Sequence, residues 1–202
     1  MTTPTFAQHI SKAEINQLPM RRYEGPIHVI QTPAAAERAV ETLSAETLLG
    51  FDTETRSAFR VGESYAPSLL QLASAEEVFL FQIEQTGLIP ELRELLSDPK
   101  TIKSGVAIRR DVKELRDMAE FKPAGFVDLA DCAKRSKIKN LGLRALGALF
   151  LGFRISKGEQ VSNWAKPELT RSQITYAATD AWLGREIYLQ MDQRGLELKP
   201  AR

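Results

Sequence analysis

The chain has 202 residues, a net charge of +1 and a hydrophobic fraction of 43%, values ordinary for one globular domain large enough to bury its own core. The near-neutral balance excludes a polycation that holds nucleic acid by overall charge, so such a partner must be argued from local patches. No apolar run reaches the roughly 18 residues of a membrane span. His9 and His28 are the only histidines, too few for a histidine-rich zinc site and poorly placed for a hydrolytic triad. Cys132 stands alone, and the first thirteen residues lack the basic-then-apolar order of a leader; a cytoplasmic location is the expectation.

Residues 1–24 are polar and irregular and read as an N-terminal arm, leaving 25–202 as one domain. Ile27 to Gln31 is a short β-prone run. Thr32 and Pro33 give a cap and first turn for a helix ending near Leu43. Thr47 to Thr53 reads as a buried strand, 56–67 as a loop, and Ser68 to Ala73 and Val78 to Gln82 as a hairpin. Helical spacing covers Gly87 to Ser97 and Ile108 to Met118, with a short strand at Thr101 to Ser104 between them. Phe126 to Leu129 is a last short strand. Leu141 to Phe150 is an apolar helix stopped by Gly152, 158–167 is a loop, and Thr170 caps a final helix to about Arg194. Early strands followed by alternation and then helices define an α/β layer fold with a mixed sheet.

Three acidic motifs punctuate this order. In Leu48-Leu-Gly-Phe-Asp-Thr-Glu-Thr55, Asp52 and Glu54 end an apolar strand and, two residues apart, project from one face. Adjacent carboxylates repel unless a cation lies between them, and hard divalent ions take oxygen ligands of this kind. A solvated strand end is the plainer account of that motif alone. Asp111 stands early in a helix, after a strand and Gly105; favourable placement of an acid in a first turn accounts for it equally. Tyr176 and Asp180 lie four apart on the last helix and share a face, an arrangement that also suits a core tyrosine satisfied by a nearby acid. Ala177, Ala178 and Ala181 around them leave room for another element.

In order, Asp52-x-Glu54, Asp111 and Tyr176-x-x-x-Asp180 resemble the DEDD superfamily of 3′→5′ exonucleases, tyrosine subgroup, the group of ribonuclease D and the Werner exonuclease domain. Pro67-Ser-Leu-Leu-Gln-Leu72, Leu141-Gly-Leu-Arg-Ala-Leu146 and Ser162-Asn-Trp164 add to the likeness, which spans residues 25 to 195. One departure is Ala107, where proofreading relatives often carry a polar residue. The resemblance implies a ribonuclease H-like mixed β-sheet flanked by α-helices. It also implies release of nucleoside 5′-monophosphates from single-stranded RNA or DNA 3′ ends, with RNA somewhat favoured. Two Mg²⁺ or Mn²⁺ ions, roughly 4 Å apart in two-metal sites, would be held by Asp52, Glu54, Asp111 and Asp180. Tyr176 would orient the attacking water.

For substrate contact, Thr53 and Thr55 flank Glu54 and can meet the terminal nucleotide, while Trp164 can either stack on a base or fill the core. Lys134, Arg135, Lys137, Lys139 and Arg144 are a candidate phosphate track, with Arg109 and Arg110 as a second basic pair; a solvated helix face is the alternative for either. A module of the same fold that binds without cutting, and a phosphatase of small nucleotides, are the rival functions. A homodimer is one way for so small a domain to gain grip on a polymer.

Overall fold

The computed structural model describes residues 7–57 and 62–200. Its elements run α1 (Lys12–Gln17), β1 (Ile27–Ile30), α2 (Pro33–Leu43), β2 (Leu48–Thr55), β3 (Pro67–Ala73), β4 (Val78–Gln82), α3 (Ile83–Thr86) and α4 (Pro90–Ser97). They continue with β5 (Ile102–Gly105), α5 (Arg109–Met118), β6 (Phe126–Asp128), α6 (Leu129–Arg135), α7 (Leu143–Leu151) and α8 (Arg171–Gln193). Among the described residues no helix is long and apolar enough to cross a membrane.

The strands form one sheet in the order β1-β4-β3-β2-β5-β6. β2, β3 and β4 are an antiparallel meander, and β1, β5 and β6 add in parallel. The expected mixed sheet between helices is therefore present. Thr32 caps α2 by accepting from the Ala35 N–H with Pro33 in the first turn, and Gly152 ends α7 at φ 72°. Thr170 and Gln173 form a reciprocal capping box at the start of α8, satisfying orphan N–H groups of that helix.

Each sheet face has its own cover. Leu49 and Phe51 of β2 point into a cluster with Val40 of α2 and Leu92, Leu95 and Leu96 of α4. On the other face Leu69, Ala73, Val78 and Leu80 meet Ala177, Ala178 and Ala181 of α8. A third cluster joins α6, α7 and the second half of α8 through Leu129, Cys132, Leu146, Phe150, Leu183 and Ile187. α8 lies unusually close to the strands. A Cβ on Gly50 would fall 1.9 Å from the Ala181 carbonyl oxygen, and one on Gly184 would fall 2.9 Å from the Ser104 carbonyl oxygen. Glycine on strand and helix, with alanines around it, lets the two backbones touch.

Three local readings change. The segment before residue 25 is ordered from residue 7 on: α1 carries a Ser11–Glu14 capping box, and Met20 bridges to Arg154. Residues 1–6 lie outside the described residues. The helix expected from Gly87 starts at Pro90, because Gly87 occupies φ 64° after the short α3. α6 follows β6 without a linker: the Asp128 side chain caps it by accepting from the Ala130 N–H at 3.0 Å. The same carboxylate oxygen accepts from the Ala107 N–H at 3.0 Å, tying the turn before α5 to the turn before α6.

That turn is strained. Ala107 is exposed and held at φ 62°, a left-handed conformation that costs a non-glycine residue about 1–2 kcal/mol. Ala107→Gly is expected to raise stability by up to about 1 kcal/mol, the larger unfolded-state freedom of glycine offsetting part of the relief. Urea denaturation measures it; a midpoint lowered by the full unfolded-state cost of glycine would mean the turn carries no strain.

Candidate active site

The acids collect where α8 crosses the open end of β2. Gly50 faces α8, and alternation puts Asp52 and Glu54 on the same face. Across the antiparallel ladder Gln71 pairs with Asp52, so its side chain stands beside the acid on that face. α8 contributes Tyr176 and Asp180, one turn apart. Asp52, Thr53, Glu54, Tyr176 and Asp180 line a cleft of about 510 Å³ whose far walls include Gly105, Ala107 and Arg144. Asp111 enters from α5 on the other side of the strand end. Its Oδ1 accepts the Thr53 hydroxyl at 2.5 Å, and Asp111 lines an adjoining cleft with Glu54, Thr55, Tyr65 and Arg110.

Burial dominates the electrostatics, and repulsion within the cluster adds to it at Asp52 and Glu54. Asp52 is pushed well above the usual carboxylate range by desolvation, then by Asp180 and Asp111; its bond from the Thr53 N–H opposes the shift. Glu54 rises to about 10, from desolvation and then Asp52, Asp180 and Asp111. Asp180 rises to about 7 through desolvation, against a lowering interaction with the Tyr176 hydroxyl. Asp111 is raised by desolvation and partly restrained by Thr53. The Tyr176 phenol is driven upward by burial and by the surrounding acids, so it stays neutral at physiological pH. Four buried carboxylates, two of which (Asp52 and Glu54) are raised further by the charges of the others, with Asp180 Oδ1 buried and lacking a hydrogen-bond partner among the described residues, are an oxygen donor set suited to hard divalent cations. As the side chains stand, no three of them among the described residues are arranged closely enough to hold an ion; the hydroxyl of Thr53 draws Asp111 toward the strand.

The remaining candidates fall differently. Arg144 lines the acidic cleft, with Nη2 donating to Asn16 Oδ1 at 2.9 Å. The rest of its basic run does not join it: Lys134, Arg135, Lys137 and Lys139 line neither this cleft nor the arginine-lined cleft beyond Tyr176, and Arg135 donates to the Glu197 carbonyl. Arg109 and Arg110 are ion-paired to Asp131 and Glu114. Thr53 spends its hydroxyl on Asp111, whereas Thr55 borders the adjoining cleft after a strand irregularity at Glu54/Thr55. Trp164 does not offer a face to a base. It is 1% exposed, sits in the cluster beneath α8, and its ring lies 6.0 Å from that of Tyr176. The loop carrying it is pinned by Gln173 Nε2 to the Asn163 carbonyl and Gln82 Nε2 to the Lys166 carbonyl, which closes Trp164 inside and makes it a support for Tyr176. Gln71 is the residue that sequence reasoning passed over: fully buried opposite Asp52, with neither amide atom partnered among the described residues. Its signal was a glutamine at an inward position of an otherwise apolar strand.

A mixed sheet thus gathers four carboxylates and a neutral tyrosine at one strand end, an acidic oxygen-donor site on an α/β fold. The sequence profile of the 3′-5′ exonuclease family matches residues 27–195, and the chain belongs to that family. It is 34% identical over 160 residues to the mouse (Mus musculus) bifunctional 3′-5′ exonuclease/ATP-dependent helicase WRN, covering 76% of this chain and 11% of that protein. It is 29% identical over 164 residues to ribonuclease D of Acidiphilium cryptum, covering 79% and 41%. The chain thus spans less than half the length of either curated relative. Among solved structures, the Nibbler EXO domain of Aedes aegypti superposes with a TM-score of 0.77 at 22% identity, covering 87% of this chain and 91% of that one. Trypanosoma brucei RNase D in complex with RNA superposes at 0.72 and 23%, covering 84% and 62%.

Two outcomes test this site. Folded-state carboxylates raised above their unfolded values favour the native state at low pH and oppose it as pH climbs through the raised values. With chelator present, the melting temperature should therefore fall from pH 5 to pH 8, the window in which Asp180 titrates near 7. Asp180→Asn should flatten that fall; a wild-type melting temperature independent of pH would contradict the assigned desolvation of Asp180. Trp164→Ala should cost about 3–5 kcal/mol of stability for a buried tryptophan, measured by chemical denaturation; a loss under about 1 kcal/mol would return the ring to a surface role.

Proposed function

We propose that this domain is a divalent-metal-dependent 3′→5′ exonuclease that shortens single-stranded nucleic acid and releases nucleoside 5′-monophosphates, RNA being somewhat favoured over DNA. The observation that carries the reading is the convergence of Asp52, Glu54, Asp111 and Asp180 with Tyr176 around one strand end, every one of them perturbed by its neighbours. The preference for RNA rests on the ribonuclease D relatives, one of which is solved with RNA.

Asp52, Glu54 and Asp180 would hold one ion and Asp52 with Asp111 a second, and bound Mg²⁺ or Mn²⁺ supplies charge neutralisation and an acidified water. The protein's own contributions are positional. Thr53 fixes Asp111 through its hydroxyl and Asp52 through its N–H. Tyr176, neutral because its phenol is pushed upward, is a hydrogen-bonding group for the attacking water and not its base. Trp164 behind the ring holds that orientation. The deep acid cluster repels a polyanion unless cations intervene, so cleavage and metal occupancy are linked.

The test is a gel time course on 5′-labelled RNA and DNA of one sequence, with Mg²⁺, Mn²⁺ or EDTA. Metal-dependent shortening from the 3′ end should vanish in Asp52→Ala and Asp180→Ala, while Tyr176→Phe slows it by about a hundredfold through lost positioning. Binding without shortening in any metal would assign the chain to the non-cutting module; full activity of both Asp variants would remove these acids from the chemistry.

A further inference from the structure

The catalytic cleft has a neighbour on the far side of Tyr176 and Asp180. A second cleft of about 590 Å³ shares those two residues and Ser156 with the first, and is walled by Arg21 and Arg22 on one side and by Arg171, Ser172 and Thr175 on the other. All three arginines are exposed, and none is ion-paired among the described residues. Glu24 and Glu159 also line the cleft, Glu159 accepting the Ser162 hydroxyl, so three guanidinium groups stand against two carboxylates.

The segment carrying Arg21 and Arg22 is held in place by its backbone, which leaves its side chains free to act. The Arg21 N–H donates to the Arg154 carbonyl at 2.9 Å, and the Arg154 N–H returns to the Pro19 carbonyl at 3.0 Å. Arg154 Nε donates to the Leu18 carbonyl at 3.0 Å, and the Tyr23 N–H donates to Thr179 Oγ1 of α8 at 3.0 Å. Further out, Ile10 and Asn140 exchange two hydrogen bonds. The segment is thereby tied to α8 at Thr179, the residue before Asp180.

We propose that this arginine cleft binds the sugar-phosphate backbone of the strand upstream of the scissile bond, making the segment 10–24 part of the substrate channel. The inference rests on the exonuclease reading. A 3′-terminal nucleotide is joined through a single phosphodiester, the one that is cut; every further phosphate that a cleft continuous with the acids can meet belongs to the upstream strand. Guanidinium groups pair with phosphate oxygens in a planar fork, and a binding mode that reads backbone suits substrates of many sequences.

The test uses two substrates and one binding measurement. The p-nitrophenyl ester of thymidine 5′-monophosphate has a single phosphodiester and nothing upstream; a 5′-fluorescein dodecanucleotide has both. In Arg21→Glu/Arg22→Glu, and separately in Arg171→Glu on the opposite wall, KM for the oligonucleotide should rise about tenfold or more while ester hydrolysis keeps its wild-type rate. Anisotropy binding of the oligonucleotide in EDTA should weaken in step, and the slope of log K against log salt should shrink by roughly 1.4 for the double variant, about 0.7 per single-strand phosphate contact. Unchanged KM and salt slope would overturn the proposal, as would equal loss of ester and oligonucleotide turnover, which would make the segment a structural brace. Should the wild type turn over neither substrate, the exonuclease reading fails, and the anisotropy comparison still decides whether the arginines hold the strand.

Discussion

Everything at the candidate site depends on how closely α8 can approach β2. The approach is set by backbone contact: Gly50 against the Ala181 carbonyl and Gly184 against the Ser104 carbonyl leave no volume for a side chain on either glycine. An added methyl at position 50 would have to push the helix away or bend the strand. Either shift would move Asp180 from Asp52, because both acids ride on the two elements that the contact joins. The alanines that flank Tyr176 and Asp180 belong to the same seam; they are small because the sheet is near, and the carboxylates are neighbours for the same reason.

Close approach in a buried setting has an electrostatic consequence. Desolvation raises all four acids and the phenol, like charge within the cluster adds to it at Asp52, Glu54 and Tyr176, and the fold concentrates at one strand end groups that would be more comfortable apart. Such clustering is typical of sites built for chemistry, where local stability is given up for a poised arrangement. The surroundings limit the cost by fixing geometry: Thr53 ties Asp111 and Asp52 to the strand, Trp164 backs Tyr176, and Asp128 couples the turns that launch α5 and α6. Lys103 shows the contrasting case. It is equally buried, yet its ammonium donates to the Leu95 and Asp98 carbonyls, so its lowered pKa, about 8, accompanies a satisfied structural role.

Around this centre the surface is divided among clefts of different character. One is walled partly by apolar groups and by Arg144, one borders Thr55 and Tyr65, and one is lined by arginines from the N-terminal segment and the start of α8. The lysines between residues 134 and 139, which look like a phosphate track along the chain, are exposed on α6 and the loop after it and line none of these three clefts. The lysines of that run thus do not gather at the site, whereas arginines 150 residues apart, Arg21 and Arg171, line one cleft.

The sequence by itself determined the strand and helix periods, the caps at Thr32 and Thr170, the stop at Gly152, and the elements on which Asp52, Glu54, Asp111, Tyr176 and Asp180 would stand. Those signals are local: alternation, four-residue spacing and capping chemistry act within one or two turns of chain. Tertiary structure alone decided that Trp164 is enclosed, that the Thr53 hydroxyl is committed to Asp111 across 58 residues, that Gln71 stands buried against Asp52, and that the segment 10–24 is ordered. Each of these turns on which distant groups a backbone brings within hydrogen-bonding or van der Waals reach. A tryptophan in a polar loop and an arginine in an irregular arm carry no local mark of whether they will face solvent, substrate or core, because that is fixed by the partner surface folded over them and not by their neighbours in the chain.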